Sequence, residues 1–256
     1  MKVVFLYVWT IVSYILVTLI FLISAPIGLF LTLISPSLFF FFTFYLARLI
    51  AFCLGVRTII NGNFPKEDDT YIYISNHSSY LDPVFTTYLI KKKHKYLAKA
   101  EILSWPIFGY VIKKYLIPVK REEKKSRSNS MDLMKETLFN GYSIVLYPEG
   151  GWKDDHQKHP YDIKPNSTLN QFRNGAFRLS IETNKKIVPI SLSNIKKIHS
   201  SDSMMFSPGK VVLNIHDPID PEGLTSSNED VMSLNKKCYS IIYNDLIKYD
   251  YRKKRI

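Results

Sequence analysis

The chain has 256 residues, enough for one α/β domain plus an additional element or for two small domains. Its net charge of +12 calls for an anionic partner, either nucleic acid or anionic lipid. Only two cysteines occur, Cys53 in an apolar segment and Cys238 near the C-terminus, which excludes a disulfide framework and fits a reducing compartment.

The 46% of hydrophobic residues is unevenly spread, and from Val3 to Ala47 there is no Asp, Glu, Lys or Arg. That run is too long for a secretory signal, whose apolar core spans roughly 7–15 residues, and no small-residue cleavage site ends it. A membrane helix takes about 20 apolar residues. The stretch VVFLYVWTIVSYILVTLIFLISA satisfies this, SLFFFFTFYLARLIAFCLG nearly does, and Pro26 and Pro36 punctuate the connection. We therefore expect residues 1–57 to form an N-terminal membrane-embedded two-helix hairpin, with residues 58–256 as the following domain. Lys2, Arg48 and Arg57 flank the apolar segments, so the positive-inside rule puts that domain on the cytoplasmic face. With a membrane segment present, lipid headgroups explain the positive charge most simply.

After the hairpin, TYIYIS reads as a strand ending at Asn76-His77, and LDPVFTTYLIKK as a helix with Asp82 and Pro83 in its first turn. HKYLAKA is a second strand, WPIFGYVIKKY a short helical or turn segment, and LIPVKR a third strand. REEKKSRS reads as a solvated loop. NSMDLMKETLFNG reads as a helix capped by Asn129, with Asp132 at N3 and Gly141 closing it. YSIVLYPEGG is a strand running into a turn, GAFRLSIETN a helix, and KKIVPISLSN and GKVVLNIHDPI are strands. The last helix carries Val231, Leu234, Cys238 and Ile241 at helical spacing, before a basic tail, YRKKRI. Strands alternating with helices predict an α/β domain whose sheet is mostly parallel and flanked by helices.

His77 falls just past a strand, where an α/β sheet opens its ligand crevice. Asp82 is five residues on, within reach of a turn that brings its carboxylate to one ring nitrogen and leaves the other to act as a base. Taken alone, the spacing equally suits a histidine capping the next helix, with Asp82 stabilised by the helix dipole. Lys120 and Arg121 end the third strand, at the same sheet edge, and arginine suits bidentate phosphate contacts. In YPEGG, Glu149 offers a carboxylate to a hydroxyl, while Gly150 and Gly151 allow a ligand close to the backbone. There is no P-loop, dinucleotide glycine fingerprint, paired-cysteine zinc signature or Gly-x-Ser-x-Gly elbow.

The blocks NHSSYLD, PIFGYVIKKYLIPVKR, YPEGG, FRNGAF and IVPISLSN stand in the order and approximate spacing of the four blocks of the glycerolipid acyltransferases. Over roughly residues 60–215 the chain resembles this family, which includes the 1-acyl-glycerol-3-phosphate acyltransferases, and its hairpin resembles their N-terminal anchor. The resemblance implies that His77 is the general base deprotonating an acceptor hydroxyl and that Asp82 orients it. The hydroxyl would attack the thioester of acyl-CoA or acyl-carrier protein directly, with no cofactor and no metal. It further implies that Arg121, beside Lys120, holds the acceptor's phosphate, that Glu149 and Gly150 shape the acceptor site, and that Arg173 stands where a lysine is common. The implied acceptor is a lysophospholipid, first of all lysophosphatidic acid, giving phosphatidic acid at a membrane bilayer.

Two features depart from the family's pattern. The usual Glu-Gly-Thr-Arg is Glu149-Gly150-Gly151-Trp152, so one hydroxyl and one positive charge are missing and a different lyso-lipid acceptor is the nearest alternative. The segment between Trp152 and Gln171 is also longer than expected. We read its Asp154, Asp155, His156 and His159 as a polar loop rather than a metal site. The alternative of a different class is a non-catalytic membrane-tethered binder of anionic lipid or nucleic acid. A nucleic-acid surface would interleave cations with stacking aromatics, whereas the aromatics here lie mostly in the apolar segments.

Overall fold

The computed structural model describes residues 2–66, 69–105, 108–151, 169–199 and 204–251. Two apolar helices come first, α1 (Lys2–Ile34) and α2 (Pro36–Cys53), joined at Ser35. Ser35 caps α2 by accepting the Ser37 N–H at 3.2 Å, and Pro36 occupies the first turn, where its missing N–H costs nothing. The hairpin turns at Ser35 alone. Pro26, expected to mark the connection, lies inside α1, so the first helix is a turn and more longer than the sequence suggests.

The domain then runs β1 (Val56–Asn61), β2 (Ile72–Ser75), α3 (Asp82–Leu89), β3 (His94–Lys99), α4 (Phe108–Ile112), β4 (Leu116–Val119) and α5 (Lys124–Phe139). It continues with β5 (Ser143–Leu146), α6 (Gly175–Thr183), β6 (Ile187–Ser193), α7 (Ile195–Ile198), β7 (Gly209–Ile215) and α8 (Asn228–Tyr251). The seven strands form one sheet in the order β1-β7-β6-β2-β5-β3-β4. Every neighbouring pair is parallel except β6 with β7, so the sheet is mostly parallel, as the alternation of strands and helices predicts.

Two readings of α5 need correction. Its helix begins at Lys124, so the second half of REEKKSRS is helical rather than loop. Asn129 sits inside the helix and caps nothing, while Glu123 precedes the first turn without a side-chain cap. Gly141 does follow the helix end with φ +77°, a conformation glycine adopts freely. The Trp152–Lys153 stretch, the Asp154, Asp155, His156 and His159 cluster and, after Tyr251, residues 252–256 of the basic tail fall outside the described residues.

Both faces of the sheet are covered, which is why its central strands read as continuous apolar runs. The two-residue period sends Ile72, Ile74, Ile144 and Leu146 to one face, against Leu138, Phe177 and Tyr239 of α5, α6 and α8. Tyr71, Tyr73 and Val145 go to the other, against Phe85 and Leu89 of α3 and Ala51 of α2. The hairpin is held to this second face near both ends. Near the start of α1, Thr10 Oγ1 accepts the Phe206 N–H at 3.1 Å and Tyr14 donates to the Met204 carbonyl at 3.0 Å. Near the turn, Phe39 stacks on Tyr115 with centroids 3.9 Å apart and Phe40 meets His94 at 5.0 Å. The outer side, including Val4, Ile11, Ile15, Leu22, Phe41 and Phe52, is exposed and apolar. Both helices are long and apolar enough to cross a membrane.

Candidate active site

Strand β2 ends in a short turn that delivers His77 at the carboxyl edge of the sheet. Asn76 fixes the strand end by pairing with β6 in both directions, donating to the Leu192 carbonyl at 3.0 Å and accepting its N–H at 2.8 Å. The following turn folds back so that α3 starts at Asp82. His77 Nδ1 meets Asp82 Oδ2 at 2.8 Å, and the same oxygen accepts the N–H of Ser78 at 2.5 Å and of Ser79 at 2.8 Å. Asp82 is fully buried, and among the described residues its Oδ1 has no hydrogen-bond partner. A buried carboxylate bonded to Nδ1 holds the proton there and puts the ring's lone pair on Nε2, the arrangement a general base requires.

The ring is also held from below. The Tyr147 ring lies under the imidazole at 4.2 Å between centroids and 17° between planes. The Thr86 hydroxyl, one helical turn past Asp82 on α3, bonds both the Tyr147 hydroxyl at 2.9 Å and the Tyr96 hydroxyl at 2.8 Å. Burial pushes the Tyr147 phenol well up, and the Tyr96 phenol goes to about 12 for the same reason, so both are neutral hydrogen-bonding groups.

Glu149 lies behind His77. Its Oε1 accepts the His77 backbone N–H at 2.6 Å and its Oε2 accepts the Asn170 N–H at 2.9 Å. Burial pushes its carboxyl up to about 8, against the pull of those two N–H groups, and the Asp82 charge adds to the rise. Both carboxylate oxygens are thus bonded to backbone, whereas the sequence reading turned this group toward a substrate hydroxyl.

Gly150 follows with φ +78°. A Cβ at this position would strike the Arg173 side chain, so only glycine lets that guanidinium lie against the turn. Arg121, just past the end of β4, donates from Nη1 to the Gly150 carbonyl. Its pKa is lowered first by burial and then by the charge of Arg173, and both side chains lie against the Gly150–Gly151 turn. Two guanidinium groups gathered at one glycine turn make a cradle for a multiply charged anion such as phosphate. Lys120 is oriented differently: its ammonium pairs with Glu123 at 3.1 Å, both side chains more than half exposed. Among the described residues no three His, Cys, Asp or Glu gather as metal ligands.

The structure therefore brings His77, Asp82, Glu149, Gly150, Arg121 and Arg173 to one edge and leaves Lys120 at its rim. Sequence reasoning missed Asn76, Tyr147 and Thr86. Asn76 stood beside His77 in the quoted motif, but nothing local signals its bond to a strand more than a hundred residues away.

A family model described as Acyltransferase matches residues 56–193. The chain belongs to the acyltransferase family. Among its curated relatives, the chloroplastic 1-acyl-sn-glycerol-3-phosphate acyltransferase LPAT1 of Arabidopsis thaliana is 31% identical over 159 residues, covering 61% of this chain and 41% of the plant protein. The 1-acyl-sn-glycerol-3-phosphate acyltransferase of Haemophilus influenzae is 25% identical over 188 residues, 72% of each. The chain spans less than half the length of its plant and algal relatives. The crystal structure of the 1-acyl-sn-glycerophosphate acyltransferase PlsC from Thermotoga maritima superposes with a TM-score of 0.78 over 98% of both chains, at 19% identity, so the fold is shared hairpin included. All seven candidate site residues, from His77 to Arg173, lie inside the matched span.

Proposed function

We propose that this acyltransferase moves a fatty acyl chain from the thioester of acyl-CoA or acyl-carrier protein to the free hydroxyl of 1-acyl-sn-glycerol-3-phosphate, giving phosphatidic acid. The observation that carries the reading is the 2.8 Å bond between His77 Nδ1 and the buried Asp82. His77 Nε2 takes the acceptor hydroxyl's proton as its oxygen attacks the thioester carbonyl. The tetrahedral adduct then collapses, the carbon–sulfur bond breaks, and the departing thiolate receives the proton from the imidazolium. Base assistance of this kind is worth about 10²–10⁴-fold in rate. Arg121 and Arg173 hold the acceptor phosphate, and Gly150 keeps the backbone out of its way. Glu149 and Tyr147 act through His77, as positioning residues.

The hairpin presents this edge to lipid. Its inner side rests on the domain near both ends while its outer side is exposed and apolar, which favours a helix pair lying in one leaflet, with the domain on the cytoplasmic face. The amphiphilic substrates then reach the site from the bilayer. Because Gly151-Trp152 stand in place of the family's threonine and arginine, a different lyso-lipid headgroup is the second reading. The test is acyl transfer by the detergent-purified chain, with labelled acyl-CoA and acyl-carrier protein offered against a panel of lyso-lipids. Highest turnover on lysophosphatidic acid supports the assignment, highest turnover on another lyso-lipid moves it to that acceptor, and transfer to none leaves the non-catalytic binder.

A further inference from the structure

The opposite end of the sheet carries a second concentration of charge. Strands β3, β4 and β5 are parallel, so their amino ends lie together, away from the edge that holds His77. Lys91, Lys93, Lys95, Lys113 and Lys114 gather there, and among the described residues none has a carboxylate within ion-pair distance. Four of the ammonium groups lie over rings instead: Lys91 over Phe41 at 5.4 Å, Lys93 and Lys95 over Tyr142 at 5.1 and 5.4 Å, and Lys113 over Tyr110 at 4.3 Å. Phe41 belongs to α2, and Lys95 and Lys114 line a cavity with Thr32 and Pro36, so this cationic collar reaches the turn of the hairpin.

Between collar and turn is a cavity of about 270 Å³. Thr32 and Pro36 form its hairpin wall, Lys95, Lys114 and Tyr142 its domain wall, and Glu136 of α5 stands at its side. Leu33, Ile34 and Leu38, next to it at the turn, are exposed and apolar. Two cations without a carboxylate partner among the described residues, hydrogen-bonding groups and an apolar surface leading away match a ligand with an anionic head and hydrocarbon tails. Lysines are costly in hydrocarbon and favourable beside anionic headgroups, so the collar also fixes the turn at headgroup depth.

We propose that this cavity is a headgroup site for an anionic phospholipid of the bilayer, separate from the acyl-transfer site. Lys95 and Lys114 hold the phosphate, Glu136 accepts from the headgroup hydroxyls, and the tails lie along Leu33 and Leu38. The site seats the hairpin turn against the leaflet, and it stands whether or not the acceptor is lysophosphatidic acid.

The test titrates the full-length chain in neutral detergent with labelled dihexanoylphosphatidylglycerol, in parallel with dihexanoylphosphatidylcholine and inorganic phosphate. Each cation near an anionic lipid is worth about fivefold in binding, so K95Q/K114Q should weaken phosphatidylglycerol binding about thirtyfold. Leu133→Trp fills the same cavity from α5 without changing charge and should remove the site, while K236Q/K237Q on the exposed side of α8 should leave binding within about twofold. Near-ultraviolet circular dichroism verifies the fold of each variant. Undiminished binding by Leu133→Trp, or an equal loss in K236Q/K237Q, would overturn the site in favour of a diffuse positive field. Inorganic phosphate that displaces the lipid at equal concentration would overturn the lipid assignment.

Discussion

Glu149 Oε1 accepts the backbone N–H of His77 at 2.6 Å, a bond that holds the histidine in place without involving its ring. The carboxylate's other oxygen takes the Asn170 N–H, so one buried group ties the His77 turn to the chain entering α6. Glu149→Gln presents an NH₂ group to one of these two donors. We expect kcat to fall on the order of 10²-fold, the penalty of a misplaced catalytic group, with KM little changed. The pH dependence follows from the same group. Its carboxyl, raised from 4.5 to about 8 by burial, keeps a proton in the folded state that the unfolded chain has already released. Stability should therefore fall as pH rises from 4.5 to 8 and level off beyond, while the ability to accept both N–H groups is gained over the upper end of that window. Denaturation midpoints across this range, and a rise in kcat/KM near pH 8, should both lose this component in Glu149→Gln.

Asp82→Ala removes more than a partner for the ring. It leaves the Ser78 and Ser79 N–H groups without an acceptor inside the turn, each at about 1–3 kcal/mol. Chemical denaturation should find Asp82→Ala clearly less stable than His77→Ala, although both lose activity.

Thr86→Val is nearly isosteric and lies out of reach of any substrate, yet it orphans the hydroxyl of Tyr147, while Tyr96 keeps the Thr87 hydroxyl at 2.8 Å and the Pro83 carbonyl at 3.3 Å. A loss of roughly 1–3 kcal/mol in stability is expected. If Tyr147 positions the His77 ring, kcat should fall with KM unchanged, a split that steady-state kinetics reads directly.

Arg121→Lys keeps the charge but gives up the planar fork that bonds the Gly150 carbonyl. Losing a charged hydrogen bond, about 1.5–3 kcal/mol, should raise KM for a phosphate-bearing acceptor by roughly 10–10²-fold. Monoacylglycerol, which has no phosphate, should show no such change. Gly150→Ala should act on the same acceptor, since its methyl displaces Arg173.

The parts legible in the sequence are those that act over short stretches of chain. The His77–Asp82 pair is closed by a turn across a separation of five residues, and β2 announces itself by alternation that ends at Asn76. The paired roles of Asn76 with Leu192 and of Glu149 with His77 join strand ends that come together only when the sheet forms. The first turns of α5 were hidden because Lys124–Ser128 has no apolar residue to mark a period, its buried side beginning only at Ser130. Strand β1 escaped notice because Val56 follows the apolar α2 with only two residues between, so its start merges with the hairpin.

In the proposed reaction His77 removes the proton from a lysophosphatidic acid hydroxyl. This step is tested most directly by transfer of a labelled acyl chain from its thioester to lysophosphatidic acid, comparing the wild-type chain with His77→Ala of verified fold. Removing the base should lower kcat on the order of 10²–10⁴-fold with the acceptor's affinity retained, because Arg121 and Arg173 are untouched. Equal rates for the two proteins would contradict it.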